Sequence, residues 1–145
     1  DKMSDIRNFC IKHVNVYMRD FLKCTNEIYI TTSWLNSMKK GQRHHLHNHP
    51  NSLISGVLYL SGQNINITFM RSHPLFCLNL DYERVSNVTA ERWNQDSCVG
   101  QILLFPSSLV HLVEGNFHDK VRISLSFNTF VKGGVNNTTN RLDLK

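Results

Sequence analysis

The spacing of apolar side chains changes once along the chain, near residue 24. Before that point apolar positions recur every three or four residues, which is the spacing of one stripe along an amphipathic helix. The stripe consists of Ile6, Phe9, Cys10, His13, Val14, Tyr17, Met18 and Phe21. Ser4 or Asp5 is a suitable cap for the first turn. The pattern therefore predicts one N-terminal helix over residues 3–23.

From residue 27 onward apolar and polar positions alternate with a period of two, and β-branched residues are frequent, as is typical of strands. Such runs predict strands near 27–36, 43–49, 53–60, 64–70, 76–80, 101–105, 109–113 and 121–128. The polar segment 81–98 fits either a long loop or a short hairpin, and residues 131–145 are predicted to form a tail.

One helix followed by about eight strands is typical of a closed, mainly β sandwich or barrel. The double-stranded β-helix, a jelly-roll or cupin-like barrel, fits this count, and the amphipathic helix is expected to pack on one of its sheets. The barrel core is predicted over residues 27–130. Chemistry in such a barrel is expected at its mouth, where inward-facing side chains meet.

Length and composition narrow the class of protein. The 145 residues fit one domain, and 41% hydrophobic residues exclude a disordered chain. No apolar run approaches the roughly 20 residues of a membrane-spanning helix, and no signal peptide is recognised, so a soluble cytoplasmic protein is expected.

The basic residues are scattered along the chain, which gives no local support for nucleic-acid binding. The four cysteines form no CxxC pair and are predicted to be free thiols.

The strongest local signal is the segment 41–50, which places four histidines in six positions. In a strand, residues i and i+2 point to the same face. His47 and His49, with His45 behind them, are therefore expected to project together, where they could share a metal ion. A solvated, partly protonated histidine-rich loop is the alternative interpretation.

A third histidine and an arginine follow much later in the chain. His111 lies in an apolar stretch, where a lone histidine is more often a hydrogen-bonded core residue than a metal ligand. The next strand, 121–128, has an apolar face and a polar face that carries Arg122 and Ser124. A guanidinium fork beside a hydroxyl suits a carboxylate ligand, although a solvent-exposed strand face explains the same alternation.

These residues carry a family resemblance. The order His47-x-His49, His111, Arg122-x-Ser124 resembles the signature of the iron(II)- and 2-oxoglutarate-dependent oxygenases, whose core is a double-stranded β-helix. More closely, the chain resembles a small group of such oxygenases from marine bacteria and their phages. The motifs that carry this closer resemblance are Ser33-Trp34-x-Asn36, Gly41, His47-x-His49-Pro50, Ser55-Gly56-Val57-x-Tyr59, Gly100, Leu104-Phe105-Pro106-Ser107, His111-x-Val113 and Arg122-Ile123-Ser124-x-Ser126-Phe127-Asn128.

The resemblance implies an enzyme that uses Fe(II), 2-oxoglutarate and O₂. Such an enzyme converts 2-oxoglutarate to succinate by oxidative decarboxylation and oxidises a C–H bond of a substrate, as a hydroxylase does; this sequence does not identify the substrate or the oligomeric state. The implied metal ligands are His47, His49 and His111. The residues implied or suggested to hold 2-oxoglutarate are Arg122, Ser124, Asn36 and Tyr59.

One departure from the family pattern affects the metal. The usual triad contains two histidines and a carboxylate, but His49 stands at the position of the acid, and no Asp or Glu occurs between Ile28 and Leu80. Three neutral imidazoles also suit zinc or nickel. Two other interpretations stay open: a cupin-like metal-dependent enzyme, although the glutamate expected after its histidine pair is missing, and a non-catalytic barrel that binds a partner.

Overall fold

The structure is a computed structural model that describes residues 1–63, 65–71, 81–86, 89–136 and 139–144. Within these residues a helical segment precedes a series of antiparallel strands. The helix α1 spans Lys2–Val16 and continues as a π-helical turn over Tyr17–Phe21. The strands are β1 (Glu27–Met38), β2 (His44–His47), β3 (Ile54–Ser61), β4 (Ile65–Met70), β5 (Arg92–Ser97), β6 (Ile102–Pro106), β7 (Val110–Val113), β8 (Arg122–Val135) and β9 (Leu142–Leu144).

Helix α1 begins earlier than the sequence pattern predicts. The Asp1 carboxylate accepts hydrogen bonds from the backbone N–H groups of Met3 and Ser4, at 2.7 and 3.3 Å. Asp1 is therefore the N-cap in place of Ser4 or Asp5, because its side chain satisfies amides that lack an intrahelical partner. Cys10, Val14 and Met18 of the apolar stripe enter the core with residues of β1, β3 and β8, which confirms the predicted packing of the helix on one sheet, whereas Phe9 and Phe21 of the stripe are exposed.

Two antiparallel sheets form the barrel. One has the strand order β1-β8-β3-β6, with β9 paired to the end of β8, and the other has the order β2-β7-β4-β5. The chain passes from one sheet to the other at nearly every connection, so strands far apart in sequence become neighbours. This order is that of a double-stranded β-helix, and the predicted fold class is confirmed. A pocket lined from both sheets opens between them.

Two parts of the described chain differ from the predicted elements. Residues 92–97 form β5, which pairs along its whole length with β4, although this polar stretch shows no period. Strand β8 continues past residue 128 to Val135, and residues 142–144 pair with its end, so 131–145 is not simply a tail. Both differences arise because the hydrogen-bonding groups of a neighbouring strand extend a sheet whatever the side-chain pattern. The strand predicted at 76–80 lies outside the described residues.

The structure also bears on the predictions about membrane-spanning helices and cysteines. No helix in the described part of the chain is both long enough and apolar enough to span a membrane. Cys10, Cys24 and Cys98 are free thiols, as predicted, while Cys77 lies outside the described residues. Burial in the core raises the pKa of the Cys10 thiol, so this side chain behaves as an apolar core residue.

Candidate metal centre and adjoining anion pocket

A break in the pairing of β2 decides which histidines face the pocket. His44 pairs with Val113 of β7, but His47 pairs with His111, so the register shifts by one residue between them. In a regular strand His44 and His47 would lie on opposite faces. The irregularity turns both toward the pocket, as a β-bulge does. His45, which the alternation places behind His47, lies 5.2 Å from it by ring centroids but is solvent-exposed.

His47, His49 and His111 converge at the pocket. Each offers a ring nitrogen, and these nitrogens all lie within 4.8 Å of one another. The Nε2 atoms of His49 and His111 are 3.3 Å apart. Two imidazole nitrogens bound to one metal ion at about 2.1 Å each are separated by about 3.0–3.4 Å when the angle between the bonds is about 90–110°. The observed spacing therefore suits a shared ion.

Backbone carbonyls fix the orientation of two of these rings. The Nδ1 atom of His47 is 2.7 Å from the carbonyl oxygen of His45, and that of His111 is 2.9 Å from the carbonyl oxygen of Leu109. Because a carbonyl oxygen only accepts, Nδ1 carries the hydrogen in both rings. The Nε2 atoms then hold lone pairs that can coordinate a metal, which is the usual arrangement of metal-binding histidines.

The environment of His49 and His111 favours the neutral form of these two rings. Burial lowers the pKa of His111 to about 4, and it also lowers the pKa of His49, with a smaller contribution from the neighbouring His47. Aromatic rings provide part of this burial: Trp34 stacks on His49 at a centroid distance of 5.7 Å, and the Phe105 ring meets His111 edge-on at 4.9 Å. Unprotonated rings are the form that binds metal ions.

The four residues suggested for 2-oxoglutarate form one patch on the inner face of the other sheet. Ser124 of β8 pairs with Asn36 of β1 on one side and with Tyr59 of β3 on the other, so these three residues form a row across the sheet. Arg122 lies two residues from Ser124 on the same face of β8 and pairs with Met38. All four line the pocket that also contains the three histidines.

Arg122 and Tyr59 are buried polar groups with open hydrogen-bonding positions. Arg122 is only 7% exposed and Tyr59 is fully buried, with the guanidinium carbon 5.3 Å from the centre of the phenol ring. Within the described part of the chain, Arg122 Nε and the Tyr59 hydroxyl have no hydrogen-bond partner. Burial raises the pKa of Tyr59 despite the nearby guanidinium, so the phenol stays protonated and can donate.

The pocket lacks negative charge to balance this cation. Among the described residues, the salt bridges of the protein do not include Arg122, and those that line the pocket include no Asp or Glu. Burial accordingly lowers the pKa of Arg122. A buried cation is unfavourable unless it is paired. The charge of the pocket therefore suits an anion beside the three imidazoles.

Sequence reasoning missed some residues of the pocket. Ser126 accepts a hydrogen bond from the Asn36 side-chain nitrogen at 2.8 Å, and the alternation of Arg122, Ser124 and Ser126 on one face could have indicated it. His44 also lines the pocket, and burial, together with His47 and Arg122, lowers its pKa. No local pattern indicates the inward position of His44, because the irregularity in β2 reverses the expected face.

Taken together, the double-stranded β-helix, the converging imidazoles and the buried arginine suit a barrel that holds a metal ion beside an anionic ligand. A family model described as "Putative 2OG-Fe(II) oxygenase" matches residues 32–128, which is more than half of the chain. The chain belongs to this family. The matched segment contains every metal-binding and 2-oxoglutarate-binding residue suggested from the sequence, and the family implies Fe(II) and 2-oxoglutarate as cofactor and cosubstrate.

Solved structures share the fold at low sequence identity. A 2OG-Fe(II) oxygenase family oxidoreductase from Burkholderia pseudomallei aligns with a TM-score of 0.54 and 15% identity, over 78% of this chain and 50% of that one. The non-heme alpha ketoglutarate dependent epimerase SnoN of nogalamycin biosynthesis aligns with a TM-score of 0.61 and 10% identity, over 87% and 57%. This chain thus spans about half the length of these proteins. A comparison with curated proteins returned no match.

Proposed function

We propose that this protein is an Fe(II)- and 2-oxoglutarate-dependent oxygenase with its metal at His47, His49 and His111. The observation that carries the proposal is the buried Arg122, which has no acidic partner in the described part of the chain and opens onto the same pocket as the three imidazoles. A dicarboxylate that reaches from a metal ion to this guanidinium would satisfy both ends of the pocket.

The polar residues suggested for 2-oxoglutarate each have a role in this proposal. Bound Fe(II), with 2-oxoglutarate and O₂, supplies the oxidative decarboxylation to succinate and the oxidation of a substrate C–H bond. Arg122 donates from its planar fork to the far carboxylate, and the hydroxyls of Tyr59 and Ser124 donate beside it. Asn36, tied to Ser126, provides a further polar contact in the same row. Trp34 and Phe105 pack on His49 and His111 beside these polar groups.

The neutral donor set affects which ions the site holds. Without a ligand carboxylate, the site is one charge more positive than a site with two histidines and an acid. Iron is then retained less strongly, and zinc or nickel compete, because imidazole suits these ions as well. The same charge favours the doubly negative 2-oxoglutarate. The choice of metal, the source among marine bacteria or phages and a cytoplasmic location stay predictions.

Thermal unfolding under anaerobic conditions tests the proposal, because a ligand that binds only the folded state raises stability by RT ln(1 + [L]/Kd). We expect Fe(II) to raise the Tm of the wild type and 2-oxoglutarate to raise it further. Arg122→Ala should keep the metal increment and lose the 2-oxoglutarate increment, whereas His111→Ala should lose both. Arg92→Ala is the matched control, because Arg92 is exposed, pairs with Glu114 and lies outside the pocket.

The same measurement separates the other interpretations. A cupin-like metal-dependent enzyme would share the barrel and the histidine ligands, although its expected glutamate is missing here. Such an enzyme would show the metal increment but no increment from 2-oxoglutarate, in the wild type as in Arg122→Ala. A non-catalytic barrel that binds a partner would show neither increment. Either result would contradict the proposed oxygenase.

A further inference from the structure

The turn Pro106–Leu109, between β6 and β7, contacts two of the three histidines. The turn is closed by a hydrogen bond from the Leu109 N–H to the Pro106 carbonyl, at 3.0 Å. The Ser107 carbonyl accepts from the backbone N–H of His49 at 2.9 Å, and the Leu109 carbonyl accepts from Nδ1 of His111 at 2.9 Å. One short turn therefore holds the backbone of His49 and the ring of His111, the two histidines whose Nε2 atoms are 3.3 Å apart.

The side chain of Ser107 points away from solvent into a chain of polar groups. Ser107 is fully buried, and its hydroxyl oxygen is 2.8 Å from that of Ser55. The Ser55 hydroxyl in turn donates to the Asn128 side-chain oxygen at 2.8 Å. A hydroxyl has one hydrogen, and that of Ser55 is committed to Asn128. Ser107 must therefore donate to Ser55, so the direction of the whole chain is fixed.

This hydroxyl chain ties the turn to the middle of the larger sheet. Ser55 of β3 and Asn128 of β8 pair with each other in register, at the centre of the order β1-β8-β3-β6. The backbone of the turn is held separately, because the Ser107 N–H donates to the Leu53 carbonyl at 3.0 Å. Ser107 is thus held by a backbone bond and by a side-chain bond, within the turn whose carbonyls accept from His49 and His111.

We propose that Ser107 and Ser55 are positioning residues that orient His49 and His111 for metal binding. Ser107 acts through its own carbonyl and that of Leu109, and Ser55 acts by accepting the Ser107 hydrogen bond. The proposal rests on the proposed metal site for its functional meaning. Its structural part, the control of the His111 ring, holds in the metal-free protein as well.

Ser107→Ala tests this in two measurements. In the metal-free protein, ¹⁵N NMR of the histidine rings is expected to show His111 protonated at Nδ1 in the wild type and a mixture of both tautomers in Ser107→Ala. In the second measurement, Co(II) affinity, followed by its visible spectrum, is expected to fall about 10- to 100-fold, the usual effect of losing an outer partner of a metal ligand.

Thr68→Val is the matched control. It also removes a fully buried hydroxyl, one bonded to Asn94 at 2.7 Å and not to any group that holds a histidine. We expect it to lower stability while leaving the His111 tautomer and the Co(II) affinity as in the wild type. If Ser107→Ala does not fold, Ser55→Ala takes its place, because it removes the acceptor of the Ser107 hydroxyl.

The outcomes separate the positioning claim from the metal claim. Ser107→Ala or Ser55→Ala with a wild-type tautomer and wild-type Co(II) affinity would overturn the positioning role, whatever the loss of stability. If the wild type binds no Co(II), the proposed metal site fails. The tautomer measurement in the metal-free protein then decides the positioning claim alone: a mixed population in the variants supports it, and an unchanged one rejects it.

Discussion

At the scale of single residues, two buried side chains of the pocket have polar atoms without a hydrogen-bond partner among the described residues. Arg122 and Tyr59 are buried next to each other, yet Arg122 Nε and the Tyr59 hydroxyl lack hydrogen-bond partners in the described part of the chain. A buried polar atom without a partner lowers stability by about 1–3 kcal/mol. Such atoms are retained where a ligand supplies the missing partner, so function and stability oppose each other at these two residues.

Tyr59→Phe is expected to separate the two effects. It removes the unpartnered hydroxyl but keeps the ring against the Arg122 cation. Metal-free protein should become more stable, by about 1 kcal/mol, while the Kd for 2-oxoglutarate in the metal-loaded protein rises about 2- to 10-fold, as expected for one lost hydrogen bond. Urea unfolding and anaerobic calorimetry give the two values. A variant that loses stability and binds 2-oxoglutarate unchanged would contradict this role.

The depressed pKa of His111 predicts a pH dependence of the metal-free protein. Its pKa is about 4 in the fold and about 6.5 in the unfolded chain. As the pH falls below about 6.5, only the unfolded chain takes up the proton, so stability is lost progressively until about pH 4. The linkage gives a loss of about 2 kcal/mol between pH 7 and pH 5 from this residue.

His111→Gln tests that dependence, because it removes the titrating group at a similar size. Urea unfolding of the metal-free proteins measures the free energy of unfolding at pH 7 and pH 5. The decrease between the two pH values should be about 2 kcal/mol smaller in the variant than in the wild type. Metal binding should weaken over the same pH range, since the ligands must be deprotonated. Equal drops in the two proteins would show that His111 is not buried as described.

At the scale of elements, sequence pattern predicted the strands of the pocket but not how they pair. The alternation of 121–128 correctly gave the faces of β8, and the apolar run around His111 gave β7. The register that brings Asn36, Ser124 and Tyr59 into one row depends on backbone pairing between distant strands, which no local pattern encodes. The register shift in β2 also depends on pairing with a distant strand. It places His44 in the pocket and leaves His45 exposed, the reverse of what the alternation predicts.

Close packing between β3 and β8 depends on Gly56. A Cβ atom at this position would lie 2.1 Å from the end of the buried Phe127 ring. Gly56→Ala is therefore expected to lower the free energy of unfolding by about 1–3 kcal/mol, the usual effect of overpacking a core. Urea unfolding measures the change. Combining it with Phe127→Leu, which removes the ring, should recover part of the loss, and strictly additive losses would contradict the clash.

At the scale of the whole molecule, the barrel joins two sheets whose pocket-facing groups have different chemistry. The β2 and β7 strands and the turn after β2 provide the imidazoles, and β1, β8 and β3 provide the arginine, hydroxyl and amide groups. The single helix and the strand count predicted a closed, mainly β sandwich or barrel, a description that the double-stranded β-helix fits. The identity of the substrate could not be predicted, because substrate choice in such barrels depends on the loops around the mouth.

The most direct test of this account is the visible spectrum of the wild type with Fe(II) and 2-oxoglutarate under anaerobic conditions. Chelation of iron by the keto acid gives a weak charge-transfer band, which requires both ligands in one pocket. The account predicts this band in the wild type, a weaker band in Arg122→Ala at the same 2-oxoglutarate concentration and none in His111→Ala. Absence of the band in the wild type, or a band of equal strength in all three proteins, would contradict it.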